Sequence, residues 1–377
     1  MKRVLVFSPS NKGTIAACTA NIIRALKNTA SVEVFVMTLY KEKDGIPVFD
    51  EGYSIVDKTT DVNSNTSYSS KIREIKRVKK IIKPDITVST LVSVSSLSVL
   101  SGGRDKKIGV FHAPLDQTKN VSMLNYFFCK FSYAFLLKKL DRLYAVSKTT
   151  QKDVEKHTGR ETQLVYNIHN FEEIETKSCE PLSSEETIIF KKPTVLYVGH
   201  LYETKGVRRL LNAFALLSSD CNLVVIGANS QGEVPVVFRD LSSQLKIAER
   251  TFFLGYKNNP YKYMKNSSML VLPSYSEGLP GVMIEALSLN KRVISTNSSI
   301  GVWEIMQCYN AYTEDIDEPY ENDLGFIVSN NDTNDKCIKQ LSDSIEKILN
   351  GNDIANVPFD KSRFEGKELV KYFTLDN

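Results

Sequence analysis

The sequence predicts an α/β protein built from two doubly wound, mostly parallel sheets. Three observations carry that reading. Short apolar, β-rich runs alternate with helical patterns along the chain, which is the rhythm of βαβ units. Several of these runs are continuously apolar rather than alternating, as strands buried on both faces are. The length, 377 residues, exceeds one ordinary domain and suits two of about 180.

The first half offers strands at Val4–Ser8, Val32–Thr38, Ile86–Thr90, Ile108–His112, Leu143–Ser147 and Gln163–Tyr166. The first follows Lys2-Arg3 like the start of a secretory signal. Its apolar run stops at Ser8-Pro9-Ser10-Asn11-Lys12, too soon for a signal core. Ile86–Gly103 has no charge over 18 residues, the length of a membrane span, but it carries six serines and two threonines. It reads as a buried strand and a short helix, and no transmembrane segment is expected. The second half offers strands at Val195–Gly199, Leu223–Gly227, Phe252–Gly255, Met269–Pro273, Arg292–Thr296 and Phe326–Ser329. Helical spacing runs over Thr14–Lys27, Ser69–Lys83, Gly206–Leu217 and Pro280–Leu289. Between the halves, Glu172–Glu186 is polar and lacks an apolar period, so it reads as the boundary. The expected domains are residues 1–178 and 179–358. Ligands of such sheets bind at the carboxyl ends of the strands, and with two domains the expected site is the cleft between them.

Composition excludes little. Hydrophobic residues make up 42% and charged residues 24%, as in ordinary soluble domains. A net charge of +4 is too weak to argue for nucleic-acid binding. The six cysteines are scattered, form no C-x-x-C pair and have no histidine at metal-ligand spacing. They read as reduced thiols of a cytoplasmic protein.

Two segments carry chemistry. Ser268–Ala286, SMLVLPSYSEGLPGVMIEA, is a buried strand, a tight loop and a helix opening near Pro280. Gly278 and Gly281 allow close backbone approach. The N–H groups of a helix start suit a diphosphate or a sugar hydroxyl, with Glu277 and Glu285 in reach of the same ligand. The plain alternative is a structural loop whose glutamates favour the helix dipole. Val195–Gly206, VLYVGHLYETKG, sets Lys205 near the carboxyl end of a strand, where a phosphate would lie. It does not have the Walker spacing of an ATPase.

At these residues the chain resembles the retaining glycosyltransferases of the GT-B fold, glycosyltransferase family 4 (glycosyl transferases group 1). The family's Gly-Arg-(Leu)-x-x-x-Lys-Gly reads here Gly199-His200-Leu201-Tyr202-Glu203-Thr204-Lys205-Gly206. Its Pro-Ser-x-x-Glu-Gly, followed by Glu-Ala, reads Pro273-Ser274, Glu277-Gly278 and Glu285-Ala286, with the two glutamates at the family's spacing. Val146-Ser147 and the strand into Tyr166-Asn167 resemble the end of the family's N-terminal domain. The resemblance is sharp over 195–300 and loose over 1–170.

The resemblance implies two Rossmann-like domains facing a central cleft. It implies a donor site in the second, and a C-terminal helix within 359–377 that returns to the first. Glu285 would bind ribose hydroxyls. Glu277 would contact donor-sugar hydroxyls, with the backbone of Gly278, Leu279, Pro280, Gly281 and Val282 beside it. Lys205, on the loop with Gly199 and His200, would neutralise the diphosphate. Gly13, in the loop after the first strand, would let backbone approach the transferred sugar. His112 matches the histidine that family members place by that sugar; a lone histidine at a strand end is otherwise structural. His112, Glu277 and Lys205 form the expected catalytic set. Two departures stand out: His200 replaces the family's phosphate-binding arginine, and the loop Ser8–Thr14 has one glycine where many relatives have two.

The implied reaction is transfer, with retention, from a UDP- or GDP-sugar to a glycan or lipid-linked acceptor of a bacterial surface polysaccharide. Fixed cations and helix N-terminal amides can stabilise the leaving diphosphate without a metal or further cofactor. Asp315-Ile316-Asp317 resembles the metal-binding Asp-x-Asp of another glycosyltransferase fold and reads here as a solvated loop. The alternatives are a nucleotide-sugar epimerase of the same fold and a non-catalytic sugar-nucleotide-binding protein. Lys71–Lys83 carries seven basic residues and one acidic along an apolar stripe of Ile72, Ile75, Val78 and Ile82; Tyr126–Leu140 is rich in aromatics and ends in lysines. Each reads either as a surface helix packed on a sheet or as a face resting on an anionic membrane, at the inner side of the cell membrane.

Overall fold

The computed structural model describes residues 1–11, 13–28, 31–41, 53–57, 67–112, 123–314, 316–351, 359–365 and 373. They fall into two compact units: Met1–His169 with Ser362–Asn377, and Asn170–Lys361.

Unit 1 holds strands β1 (Lys2–Ser10), β2 (Val32–Lys41), β3 (Tyr53–Asp57), β4 (Ile86–Thr90), β5 (Lys106–Phe111), β6 (Arg142–Ala145) and β7 (Gln163–Leu164). Its helices are α1 (Gly13–Lys27), α2 (Tyr68–Ile82), α3 (Val92–Leu100), α4 (Met123–Phe131) and α5 (Lys148–Thr158). The strands form one parallel sheet in the order β3-β2-β1-β4-β5-β6-β7. Successive residues of β1 feed opposite faces. Val4 and Val6 pack with Ile22, Ile23 and Leu26 of α1, while Leu5 and Phe7 pack with Ile75, Val78, Val94 and Leu97 of α2 and α3. Strand pairing on both sides of β1 locks that register, because a one-residue slip would exchange the two faces. β3 escaped the sequence reading because five residues at a sheet edge, with two aliphatic side chains, make no clear period.

Unit 2 holds α6 (Phe171–Ser178), α7 (Ser184–Ile189), β8 (Thr194–Val198), α8 (Val207–Ala215), β9 (Asn222–Ile226), α9 (Val236–Gln244), β10 (Thr251–Gly255), α10 (Tyr261–Asn266) and β11 (Met269–Leu272). It continues with α11 (Gly281–Ser288), β12 (Arg292–Thr296), α12 (Ile300–Ile305), β13 (Tyr320–Asn322), β14 (Gly325–Val328) and α13 (Lys336–Asn350). The sheet order is β10-β9-β8-β11-β12-β14-β13, which repeats the winding of the first sheet. β13 alone is antiparallel; its three polar residues carry no strand signal. Tyr197, Val225, Val271 and Phe326 meet Leu210, Leu211 and Phe214 of α8 and Leu341 and Ile345 of α13 on one face.

Three sequence expectations need correction. The polar stretch Glu172–Glu186 is not a linker, and the units divide at His169/Asn170 rather than after residue 178. It folds as α6 and the start of α7, helices too short to show an apolar period. Ser183 and Glu186 form a capping box, and Glu186 also binds Lys257, Lys262 and Tyr263, contacts that hold its carboxyl near pKa 2. The basic stretch Lys71–Lys83 is not uniformly exposed. Lys79 is buried in an ion pair with Asp105 at 2.8 Å, and Lys71 is buried against Tyr40. Gly13 is the first residue of α1 rather than a loop residue.

At the C-terminal end, Phe364 packs on Tyr166 and His169, and Phe373 lies in the unit 1 core beside Tyr144. The helix expected over residues 359–377 falls largely outside the described residues. Asp315 does too; Asp317 is exposed and paired with Lys336. Among the described residues no group of three or more His, Cys, Asp or Glu could hold a metal ion, and no helix is long and apolar enough to cross a membrane. All six cysteines are free thiols.

Candidate functional site

The site in unit 2 is built from the carboxyl ends of β8 and β11. β11 is wholly buried, and its chain leaves the sheet at Pro273. After β8, a short 3-10 turn, Glu203–Lys205, delivers the chain to α8 through Gly206. Gly206 has φ +70°, and a Cβ there would stand 2.0 Å from the carbonyl oxygen of Pro273. Both the dihedral and the close approach demand glycine. This contact brings the two loops together, and Tyr275 N–H donates to the carbonyl of Thr204 at 2.9 Å.

The consequence is a meeting of the two motif side chains. Lys205 Nζ lies 2.8 Å from Glu277 Oε1, and Ser274 Oγ donates to the same oxygen at 2.7 Å. Glu277 N–H donates to the carbonyl of Ser298, and Ser299 Oγ donates to the carbonyl of Gly278. Gly301 stands behind: a Cβ there would be 2.0 Å from the Gly278 oxygen. Leu279 and Pro280 are buried, with Pro280 as N-cap and Gly281 and Val282 opening α11.

Glu285 is the one charged residue of α11, whose neighbours Met283, Ile284, Ala286 and Leu287 are buried. Burial pushes its carboxyl up to about 7, against a hydrogen bond from Tyr261 that lowers it. His200 is exposed and stacks on Tyr202, with ring centroids 5.4 Å apart, rather than touching Lys205 or Glu277. Its backbone is fixed, since Tyr197 Oη donates to its carbonyl at 2.7 Å. Gly199 sits against that tyrosine hydroxyl and faces Gly227.

Several supporting residues carry no sequence signal. Arg209, buried on α8, binds Asn330 and Asp332 and lies 3.5 Å from the centroid of the Tyr275 ring; Asn330 in turn donates to the Tyr275 carbonyl. These contacts hold the loop that carries Glu277 at Tyr275. Tyr261 had no motif to announce it. Ser274 lay inside the quoted motif, but its bond to Glu277 follows only from the fold of the loop.

In unit 1, His112 follows β5. Its side chain bonds to Asn167, its Nε2 is buried with no hydrogen-bond partner among the described residues, and burial drives its pKa down to about 4. It is therefore a neutral imidazole at physiological pH.

Comparisons with known proteins agree with this geometry. The family described as glycosyl transferases group 1 matches residues 181–357, almost all of unit 2. An uncharacterized glycosyltransferase of Methanocaldococcus jannaschii is 28% identical over 263 residues, 65% of this chain and 63% of that protein. An N-acetylgalactosamine-N,N'-diacetylbacillosaminyl-diphospho-undecaprenol 4-alpha-N-acetylgalactosaminyltransferase of Campylobacter jejuni is 29% identical over 179 residues, 47% of each chain. These matches span less than two thirds of either relative's length. The fold of Anabaena HepE, solved in complex with UDP, superposes with a TM-score of 0.69 at 15% identity, covering 100% of this chain and 99% of that one. Motif geometry, family match and the pair of like-wound sheets lead to one conclusion: the chain has the GT-B fold, and its residues 181–357 match the glycosyl transferases group 1 family.

Proposed function

We propose that the chain is a retaining, metal-independent glycosyltransferase that moves a sugar from a UDP- or GDP-sugar to a glycan or lipid-linked acceptor in bacterial surface polysaccharide synthesis. The observation that carries this reading is the Lys205–Glu277 ion pair, held beside the start of the helix that bears Glu285. The UDP bound in HepE and the lipid-linked acceptor in the name of the Campylobacter relative support the substrate classes.

The residues divide the work. Oε1 of Glu277 is occupied by Lys205 and Ser274, which leaves Oε2 to accept from a donor-sugar hydroxyl. The ammonium of Lys205 stands ready to face the diphosphate, whose negative charge grows as the bond to the anomeric carbon breaks. Glu285, ionised on binding, accepts from the ribose hydroxyls. A carboxylate held in an ion pair is a weak nucleophile, so the reading favours same-face displacement: the acceptor oxygen bonds the anomeric carbon while its proton passes to the departing phosphate oxygen. Neutral His112 would serve as a hydrogen-bond partner for the sugar rather than as a cation.

The test is slow hydrolysis of a panel of sugar nucleotides without acceptor and in the presence of chelator. One UDP- or GDP-sugar should be hydrolysed, releasing sugar of retained anomeric configuration. Inverted sugar overturns the retaining mechanism. Loss of all hydrolysis on chelation overturns metal independence.

A further inference from the structure

A second surface of note lies on unit 1, on residues given no part in the reaction above. α4 continues through a π-helical turn, Ser132–Leu136, and a 3-10 turn, Leu137–Lys139. The inner side of this segment is core: Tyr133 and Leu137 pack with Phe111, Leu140 and Val154. Its outer side is also apolar. Phe127, Phe131 and Phe135, four residues apart, are 57%, 54% and 61% exposed, and the rings of Phe131 and Phe135 lie 5.1 Å apart. One exposed phenylalanine is ordinary; a row of three on one helical ridge is not.

Charge selects the partner. From Met123 to Leu140 there is no acidic residue, while Lys130, Lys138 and Lys139 are exposed along the same segment. Tyr68 stacks on Phe128 at 5.4 Å, joining the start of α2 to α4. α2 adds exposed Arg73, Lys76, Lys80 and Lys83, beside exposed Ile81. The whole chain divides its charge unevenly. Unit 1 has 30 Lys and Arg against 18 Asp and Glu, and unit 2 has 18 against 26. Aromatic side chains on a ridge flanked by lysines, without acids, are the chemistry of an interfacial helix on anionic lipid.

We propose that the Phe127–Phe131–Phe135 ridge seats unit 1 on an anionic bilayer. The phenylalanines enter the acyl boundary, and Lys130, Lys138 and Lys139 meet headgroup phosphates. The exposed cations of α2 supply longer-range attraction. The buried Lys79 takes no part, since it is committed to Asp105.

The experiment is co-sedimentation of the full chain with phosphatidylcholine vesicles, with and without phosphatidylglycerol. The wild type should bind the mixed vesicles and not the neutral ones, and less at high salt. Phe127→Ser/Phe131→Ser/Phe135→Ser should weaken binding about tenfold or more with an unchanged melting temperature. Lys130→Gln/Lys138→Gln/Lys139→Gln should weaken it and flatten the salt dependence. Phe131→Trp should be quenched by lipids brominated on the acyl chains, which adsorption by charge alone would not produce. The proposal is overturned if the wild type ignores anionic vesicles at low salt, or if the triple Phe variant binds as well as wild type. It is also overturned if light scattering shows a dimer that the Phe variant dissolves, or if single-stranded DNA binds the wild type in place of lipid. The readout is binding rather than turnover, so failure here leaves the donor-site reading intact.

Discussion

The two units wind their sheets in the same order yet use their glycines differently. Gly159 caps α5 in unit 1 with φ +65°, and no atom lies within 4 Å of the Cβ it lacks. Gly206 in unit 2 has almost the same backbone, φ +70°, but its missing Cβ would stand 2.0 Å from Pro273. One glycine satisfies a dihedral. The other satisfies a dihedral and holds two loops in contact, so that Lys205 and Glu277 meet. The same contrast holds for charge: the Lys79–Asp105 pair of unit 1 is sealed in the interior, while the Lys205–Glu277 pair of unit 2 keeps partial exposure, as the proposed ligand exchange requires.

Substitutions can break this contrast. The largest effect is expected at Lys205. Lys205→Ala should lower turnover about two to three orders of magnitude and leave melting nearly unchanged, because the pair is partly solvated. Single-turnover kinetics with a melting curve checks both. Next, Gly206→Ala should cost about 3 kcal/mol or more, since the Pro273 carbonyl is backbone and cannot yield, whereas Gly159→Ala should cost about 1–2 kcal/mol for the left-handed conformation alone. Equal losses in urea denaturation would erase the distinction between the two glycines.

Glu285 gives a prediction with two signs. Its folded pKa of about 7 stands above the ordinary 4.5. The folded state therefore holds the proton between those values; this stabilisation is fully present below about pH 4.5 and is lost as pH rises through 7. Glu285→Gln should melt higher than wild type at pH 8, by up to about 3 kcal/mol of stability, and nearly the same at pH 4.5. Its nucleotide affinity should fall about ten- to a hundredfold at pH 8, the worth of a charged hydrogen bond. Wild-type affinity should rise with pH through 7, as the carboxylate forms. The smallest effect is at His112: turnover should show no inflection from it between pH 5 and 9, because its pKa lies near 4. His112→Asn should lower the rate without changing the shape of the pH profile.

The legibility of the chain follows the same division. Most strands were readable because buried parallel strands are continuous apolar runs. β3 and β13 were not, since edge strands of five and three residues are too short to pattern the sequence. Lys205, Glu277 and Glu285 could be named because two loop–helix junctions impose glycine and proline at fixed spacing. The ion pair between the first two could not, as it depends on how residues 72 positions apart fold together. Arg209, Asn330 and Tyr261 are held by tertiary contacts of ordinary residue types and left no trace. Lys79 misled: a lysine within a basic run reads as surface, and only the packing of α2 on α3 reveals its burial.

The central claim is that unit 2 binds a nucleoside diphosphate through Lys205 and Glu285. The most direct measurement is calorimetric titration of the full chain with UDP and with GDP, in chelator, for wild type, Lys205→Ala and Glu285→Ala. The account predicts one-to-one binding of one of the two nucleotides to wild type. Both variants should bind about tenfold or more weakly, with melting temperatures no lower than that of wild type. Absence of binding to wild type, or affinities in both variants equal to wild type, would contradict it.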